Sequence, residues 1–397
     1  MTVFNIREFG AEEGKLCTRE IQRAIDLCES GGKVVIPKGH FVSGALYLKS
    51  DMTLFLEEGA YLVASGNIAD FPVIGYSFEG RECLCYASLL NTDSLPHENI
   101  TIDGKGTIDA CGTLLYRAEL DENKGKRGRA VYVRNTENLT VRGVTIRQSP
   151  AWCLHIHYSN NVIIENVKIH TKYAEDGSRY KLHNGDGIDV DACSNVRISN
   201  CLVESQDDCI AIKSGRDEEG RRVGVPSKDV TVENCRFTSG FGVAIGSEMS
   251  GGVENVTVRN CRFENTYSVA SIKAIRGRGG YVKNISFENC EHFNYSDEHH
   301  DCEWFKGAIY VDGFYGSLEA DEDKKEPINE GTPLVDGVSF KNISVDTTAG
   351  AAVYLCGLPE RRFKNISFEN VKAKGKSGLK AVNLEDCKLH GLEVCEY

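Results

Sequence analysis

One short phrase recurs along most of the chain, and its spacing limits the folds available. It reads NITIDGKGTID from Asn99, NLTVRGVTIRQ from Asn138, NVIIENVKIHT from Asn161 and NVRISNCLVES from Asn195. It continues as DVTVENCRFTS from Asp229, NVTVRNCRFEN from Asn255, NISFENCEHFN from Asn284, GVSFKNISVDT from Gly337 and NISFENVKAKG from Asn365. Successive starts lie 39, 23, 34, 34, 26, 29, 53 and 28 residues apart. A propeller or helical solenoid would keep a fixed period; these intervals fit coils of one core length with loops inserted at a corner. Each phrase reads as two short alternating strands joined at a polar or Gly corner. Branched residues suit the strands, and Asn suits the bend because it tolerates left-handed backbone. Asn200-Cys201, Asn234-Cys235, Asn260-Cys261 and Asn289-Cys290 fall at the same point of four phrases. Stacking aligns them into an Asn ladder and an internal Cys ladder. No single unit can bury its apolar face alone, so stacking supplies the stability. The expectation is an all-β, single-domain parallel β-helix (a solenoid) over 1–397, with a cap and first coils in 1–75 and groove-bearing coils in 76–397. A β-sandwich is the competing fold, but its strands would not share a motif at coil spacing.

The start of the chain departs from the repeat. Apolar Ile21, Ala24, Ile25 and Cys28 share one helical face, which predicts a helix over about 19–29, capped by Thr18 and ended by Gly31-Gly32. Such a helix covers the open end of the stack, where unpaired rungs would otherwise meet water. The acidic stretch Glu319 to Glu330 reads as a solvated loop. At 397 residues the chain exceeds one ordinary compact core, which stops growing near ~250–300 residues, so growth by repetition fits its size. Its net charge of −12 argues against nucleic acid or an anionic membrane as partner. No apolar run nears the ~20 residues of a membrane span. The opening MTVFNIREFG has no basic region followed by an apolar stretch, so the expected location is the cytoplasm. There, the sixteen Cys read as buried thiols rather than disulfides.

Acidic residues gather in two Gly-bounded places, NGDGIDVD (Asn184 to Asp191) and QDDCIAIKSG (Gln206 to Gly215). Asp186 and Asp207 are 21 residues apart, about one bare coil. Coils stack ~4.8 Å apart, so Asp186, Asp207 and Asp208 are expected to converge on one lateral patch. Clustered carboxylates raise at least one pKa, which makes an acid and a base available together. Glycosidic hydrolysis uses such a set. Turn formation is the competing reading for Asp189 and Asp191, and Ca²⁺ or Mg²⁺ ligation for the Asp-Asp pair. Cys83-x-Cys85 has no matching second pair at zinc spacing, so neither metal nor cofactor is expected.

With these motifs in order, the chain resembles glycoside hydrolase family 28, the polygalacturonases. FNIREFGA…REIQRAIDLC…GGKVVIPKGHFVSGALYLKSDMTLFLEEGA resembles the family's opening, and SPAWCLH (Ser149 to His155) its S-P-x-W-x-x-H. NGDGIDVD resembles N-T-D-G-I-D, and QDDCIAIKSG resembles Q-D-D-C-I-A-I-K-S-G. The resemblance covers nearly the whole chain. It implies a right-handed parallel β-helix and metal-free, inverting hydrolysis, with Asp207 as general acid and Asp186 and Asp208 holding and activating water.

Two departures bear on specificity. Where the family has G-H-G, this chain has Gly240-Phe241-Gly242; where it has R-I-K, this chain has Ser271-Ile272-Lys273. In polygalacturonases the Arg faces uronate carboxylate, and Ser cannot supply that bidentate grip. The expected substrate is therefore a short pectin-derived oligosaccharide or small glycoside with a non-galacturonate sugar or aglycone beside the cleaved bond, cut in exo mode. Phe241 either offers a ring face to that sugar or packs inward. Lys273, Arg276 and Arg278 are candidate cations for the substrate, and Tyr315, Asn184, Gln206 and His183 candidate lining residues; His155 is expected to pack on the stack. Long intervals after Asn161 and Asn195 are expected to wall off one groove end. Ordinary exo-polygalacturonase action stays open, as do a β-eliminating lyase and a carbohydrate-binding β-helix with weak catalysis.

Overall fold

Beyond the two strands of the phrase, a further strand completes the coil in the computed structural model, which describes residues 2–173, 182–294, 306–317 and 321–397. The chain forms two compact units. The first comprises Met1–Phe78, Glu82–Asp189 and Cys193–Asp207; the second comprises Glu79–Arg81, Val190–Ala192 and Asp208–Tyr397.

In the first unit one coil runs through His97–Gly104, Thr107–Asp109 and Val131–Arg134, and the next through Thr136–Arg142, Thr145–Arg147 and Leu154–His157. All three strands pair in parallel with their counterparts: Ile100 with Leu139, Ile108 with Ile146, Val131 with Leu154. In the second unit Ser227–Glu233, Arg236–Phe237 and Val243–Gly246 pair likewise with Val253–Arg259, Arg262–Glu264 and Ala270–Lys273. The first two strands are the repeated phrase, and in Tyr281–Phe293, Leu334–Asp346 and Phe363–Gly375 they run together as one strand of 13 residues. Alternation buries one side: Val256, Ile285, Val338 and Ile366 form one rung column, and Val258, Phe287, Phe340 and Phe368 another. Each such side chain contributes about 1.5–3 kcal/mol by leaving water. The third strand escaped the sequence reading because it does not alternate. Ile210–Lys213, Val243–Gly246 and Ala270–Lys273 are buried at every position.

Corners are held by asparagine. Asn260, Asn289, Asn342 and Asn370 all sit near φ +53°, where Asn is the tolerated non-Gly residue. Their amides form a ladder: Asn289 Nδ2 donates to Asn260 Oδ1 (3.3 Å), Asn342 to Asn289 (2.9 Å) and Asn370 to Asn342 (2.9 Å). A second ladder runs through the first Asn of the phrase, from Asn138 to Asn99 (2.9 Å) and from Asn284 to Asn255 (3.2 Å). Beside the first ladder, Cys235, Cys261 and Cys290 are buried, and each thiol donates to the carbonyl two residues back at 3.2–3.4 Å.

The N-terminal helix α1 spans Thr18–Leu27 and buries Ile21, Ala24 and Ile25, with Cys28 buried just past its end. Thr18 does not cap it. Its Oγ1 accepts from Gly44 N (2.7 Å), a tie between the helix and the bend after the strand Gly39–Ser43. Gln22 pairs with Tyr47 as a neighbouring strand would: Oε1 accepts from Tyr47 N (2.8 Å) and Nε2 donates to Tyr47 O (3.0 Å). The helix thereby shields a strand edge. Two further helices, α2 (Gly112–Glu122) and α3 (Asp217–Val223), are insertions between strands that the repeat did not announce. Residues 321–330 lie largely exposed, as a solvated loop requires; Glu319 and part of the interval after Asn161 fall outside the described residues. Among the described residues no helix is long and apolar enough to cross a membrane.

Candidate active site

The acidic motifs and Phe241 stand at corners leading into third strands, whereas Ser271 and Lys273 lie within one. Asn184-Gly185-Asp186 precedes the strand Ile188–Asp191, and Gln206-Asp207-Asp208 precedes Ile210–Lys213. Phe241 precedes Val243–Gly246, and Ser268 precedes Ala270–Lys273.

In the first unit, Cys153 N donates to Asp186 O (2.9 Å), and Gly185 O accepts from Gln206 N (3.3 Å) and Asp207 N (3.5 Å). The Asp186 and Asp207 corners are thus neighbours. Gly185 permits this approach, because a Cβ there would stand 2.9 Å from Leu182 and 3.1 Å from Gln206 Cβ. Asp186 is only 3% exposed, whereas Asp207 and Gln206 are half-buried and His183 is exposed. Gln206 Oε1 is buried and finds no hydrogen-bond partner among the described residues. Asn184 sits at φ +57° with its Oδ1 accepting from Arg127 Nη2 (2.5 Å). His155 packs between Tyr132 and Trp152, as expected.

In the second unit, Asp208 and Lys273 form a buried ion pair. Lys273 Nζ donates to both carboxylate oxygens, at 2.9 and 2.7 Å. Lys273 Nζ also stands 5.0 Å from the Tyr315 ring centroid, which gathers three of the sequence candidates in one cluster. Register brings Lys273 there: Ile210 pairs with Val243 and Val243 with Ala270, so the Asp208, Phe241 and Ser268 corners occupy successive coils. Phe241 is half-buried and stacks on Tyr267 at 4.6 Å and 14°. Ser268 Oγ donates to Phe241 O, so the 2.8 Å contact between Ser268 and Ser271 has Ser271 as donor.

The remaining cations are engaged by the protein itself. Arg276 grips Glu360 with two bonds, at 2.7 and 2.8 Å. Arg278, 7% exposed, donates to Ser247 O (2.8 Å) and to Asp217. Neither guanidinium stands as an open cation on the surface, in contrast to the role the sequence offered them. Lys213 meets Glu248 at 3.2 Å with both buried. Burial raises the Glu248 carboxyl, but the Lys213 and Arg278 charges and the Ser247 hydroxyl outweigh it and hold it at about 2.

Two contributors were missed in the sequence. Arg127 lies in a basic loop with no motif. Tyr267 carried a signal: it follows Phe241 by 26 residues, the interval between the phrases at Asp229 and Asn255.

The family model "Glycosyl hydrolases family 28" matches residues 90–390, three quarters of the chain. The chain belongs to glycosyl hydrolases family 28. A probable polygalacturonase of Vitis vinifera is 32% identical over 352 residues, covering 86% of this chain and 67% of that protein. An exo-poly-alpha-D-galacturonosidase of Dickeya chrysanthemi is 27% identical over 447 residues, covering 98% and 70%. Among solved structures, the exopolygalacturonase of Thermotoga maritima superposes with a TM-score of 0.78 at 26% identity, over 99% of this chain and 92% of that one. The family-28 chain is therefore a glycoside hydrolase with the right-handed parallel β-helix.

Proposed function

We propose that this family-28 chain is an inverting, exo-acting hydrolase of short pectin-derived oligosaccharides or related glycosides, with a non-galacturonate sugar or aglycone beside the cleaved bond. Asp207 is the general acid: half-buried, it reaches solvent-borne substrate and gives its proton to the glycosidic oxygen as the C–O bond breaks. Water attacks the anomeric carbon from the opposite face. Asp186 and Asp208 hold and activate that water and take up its proton, so the enzyme ends each cycle with its proton count unchanged. Gln206 Oε1, a buried acceptor, takes a substrate hydroxyl.

The observation that carries the specificity is the Phe241–Ser271 patch. At the family's Arg position stands a hydroxyl that donates within the protein, and at its His position a ring stacked on Tyr267. An apolar ring pair suits the C–H face of a neutral sugar and offers a carboxylate nothing. Ordinary exo-polygalacturonase action is the second reading, favoured by the names of the Dickeya and Thermotoga relatives. A cytoplasmic location accords with the Cys ladder, whose buried thiols act as small apolar fillers.

The test is turnover of oligogalacturonides, rhamnogalacturonan oligosaccharides and neutral-aglycone uronides, with product anomer read by proton NMR. The expected result is an inverted product from a non-galacturonate partner, with kcat at least ~10³-fold lower in Asp207→Asn. Efficient cleavage of plain oligogalacturonides would establish the second reading. Full activity in Asp207→Asn would remove the assigned acid.

A further inference from the structure

Arg127 stands in the loop that follows α2, 57 residues before the Asn184 it contacts. Its side chain is 8% exposed and its guanidinium lies 5.5 Å from the Phe78 ring centroid and 5.2 Å from that of Tyr116, which fix its plane. Nη1 donates to Pro150 O (3.0 Å) and to His183 O, and Nη2 to Asn184 Oδ1 (2.5 Å). One rigid fork therefore ties the SPAWCLH segment to the NGDGIDVD segment. The loop under it is itself fastened. Gly128 N donates to Glu119 Oε2 (3.1 Å), and Arg129 Nη1 donates to Arg127 O (3.1 Å).

We propose that Arg127 is the positioning residue for Asp186: it holds Asn184 in the left-handed conformation and so sets where the carboxylate two residues on points. This rests on the reading of Asp186 as a water-activating group. Asn184 adopts φ +57°, a conformation that costs an ordinary residue about 1–2 kcal/mol, and Gly185 after it has no side chain to anchor the backbone. The fixed fork on the Asn184 amide and the His183 carbonyl supplies that anchor. Only a planar guanidinium reaches three acceptors in one plane, so Lys at this position keeps the charge and loses the geometry. Displacement of a reacting group by about 1 Å costs on the order of 10²-fold in rate.

The test compares wild type with Arg127→Lys, Asn184→Gly, their double variant and Asp186→Asn. All are assayed on the best substrate of the panel, at a temperature where circular dichroism shows each folded. Asn184→Gly keeps the left-handed backbone and removes the amide. The expected result is a kcat about 10–100-fold lower in Arg127→Lys with KM within about threefold. The double variant is then no slower than Arg127→Lys, because both changes break one linkage. Wild-type kcat in Arg127→Lys, or effects that multiply in the double variant, overturns the proposal while leaving the role of Asp186 intact. Full activity in Asp186→Asn sinks the reading of Asp186, and the positioning role with it.

Discussion

Replacing Lys273 by Met tests whether the Asp208–Lys273 pair is an interior ion pair or a cation held ready for substrate. Lys273 is 6% exposed, Asp208 is 2% exposed, and the contacts are 2.7 and 2.9 Å. At such burial solvent screens little, and removing one partner leaves the other charge without compensation. That costs about 3–5 kcal/mol, against about 0.2–1 kcal/mol for an exposed pair. Asp208→Asn leaves an ammonium in the same position and is expected to cost a similar amount. The double variant Lys273→Met/Asp208→Asn removes both charges, so it is expected to cost about 2 kcal/mol or less. The cycle then gives a coupling of at least about 3 kcal/mol, a factor of about 10² in the unfolding equilibrium. Urea unfolding of the four proteins at neutral pH supplies the numbers, provided the slopes agree. Raising NaCl from 0.05 to 0.5 M should leave the coupling in place, because the pair is out of reach of mobile ions. A cost below about 1 kcal/mol for Lys273→Met, with a cycle closing to within about 0.5 kcal/mol, would refute this account and return Lys273 to the substrate.

Two further predictions concern stability. Burial pushes the Glu119 carboxyl up to about 8, against the lowering effects of the Gly128 N–H and the Arg127 and Arg129 charges. Its folded pKa lies above the unfolded ~4.3, so its contribution is present at low pH and lost as pH rises towards 8. Glu119→Gln should remove about 2–4 kcal/mol of the stability decline measured between pH 5 and 8; an unchanged decline would show that Glu119 does not titrate there. Asn289→Ala places a Cβ residue at φ +53° and breaks the ladder to Asn260 and Asn342, an expected loss of about 2 kcal/mol by urea unfolding. Asn289→Gly should lose about half as much, since Gly accepts the backbone; equal losses would mean that the conformation contributes nothing.

The coil was legible where local rules govern it. Alternation and the corner Asn mark the first two strands, and both are properties of neighbouring residues. The third strand was invisible because Ile210–Lys213 or Ala270–Lys273, buried on both sides, carries no period to detect. The acidic corners were legible as composition, two clusters in an otherwise neutral repeat. Their partners were not. Lys273 lies 65 residues from Asp208, Arg276 lies 84 from Glu360, and Arg278 lies 61 from Asp217. With loops of variable length between strands, residue type alone could not say which of three neighbouring cations would meet which carboxylate. Thr18 shows the same limit at short range: a good cap by type, it was claimed instead by the Gly44 N–H.

The residues at the two departures satisfy one another rather than leave polar groups stranded. A site losing its chemistry by piecemeal substitution would strand polar groups at the vacated positions, each costing about 1–3 kcal/mol. Here the replacements answer one another. The Ser271 hydroxyl meets Ser268, the Ser268 hydroxyl meets the Phe241 carbonyl, and the Phe241 ring lies on Tyr267. Four residues on two consecutive coils form one satisfied patch in which a guanidinium and an imidazole have no remaining place. One coil away, Asp208 keeps both oxygens on Lys273, an arrangement that costs stability whenever either partner is lost. The apolar patch and the ion pair thus lie on successive coils, each satisfied within itself, an arrangement that supports the proposed non-galacturonate specificity.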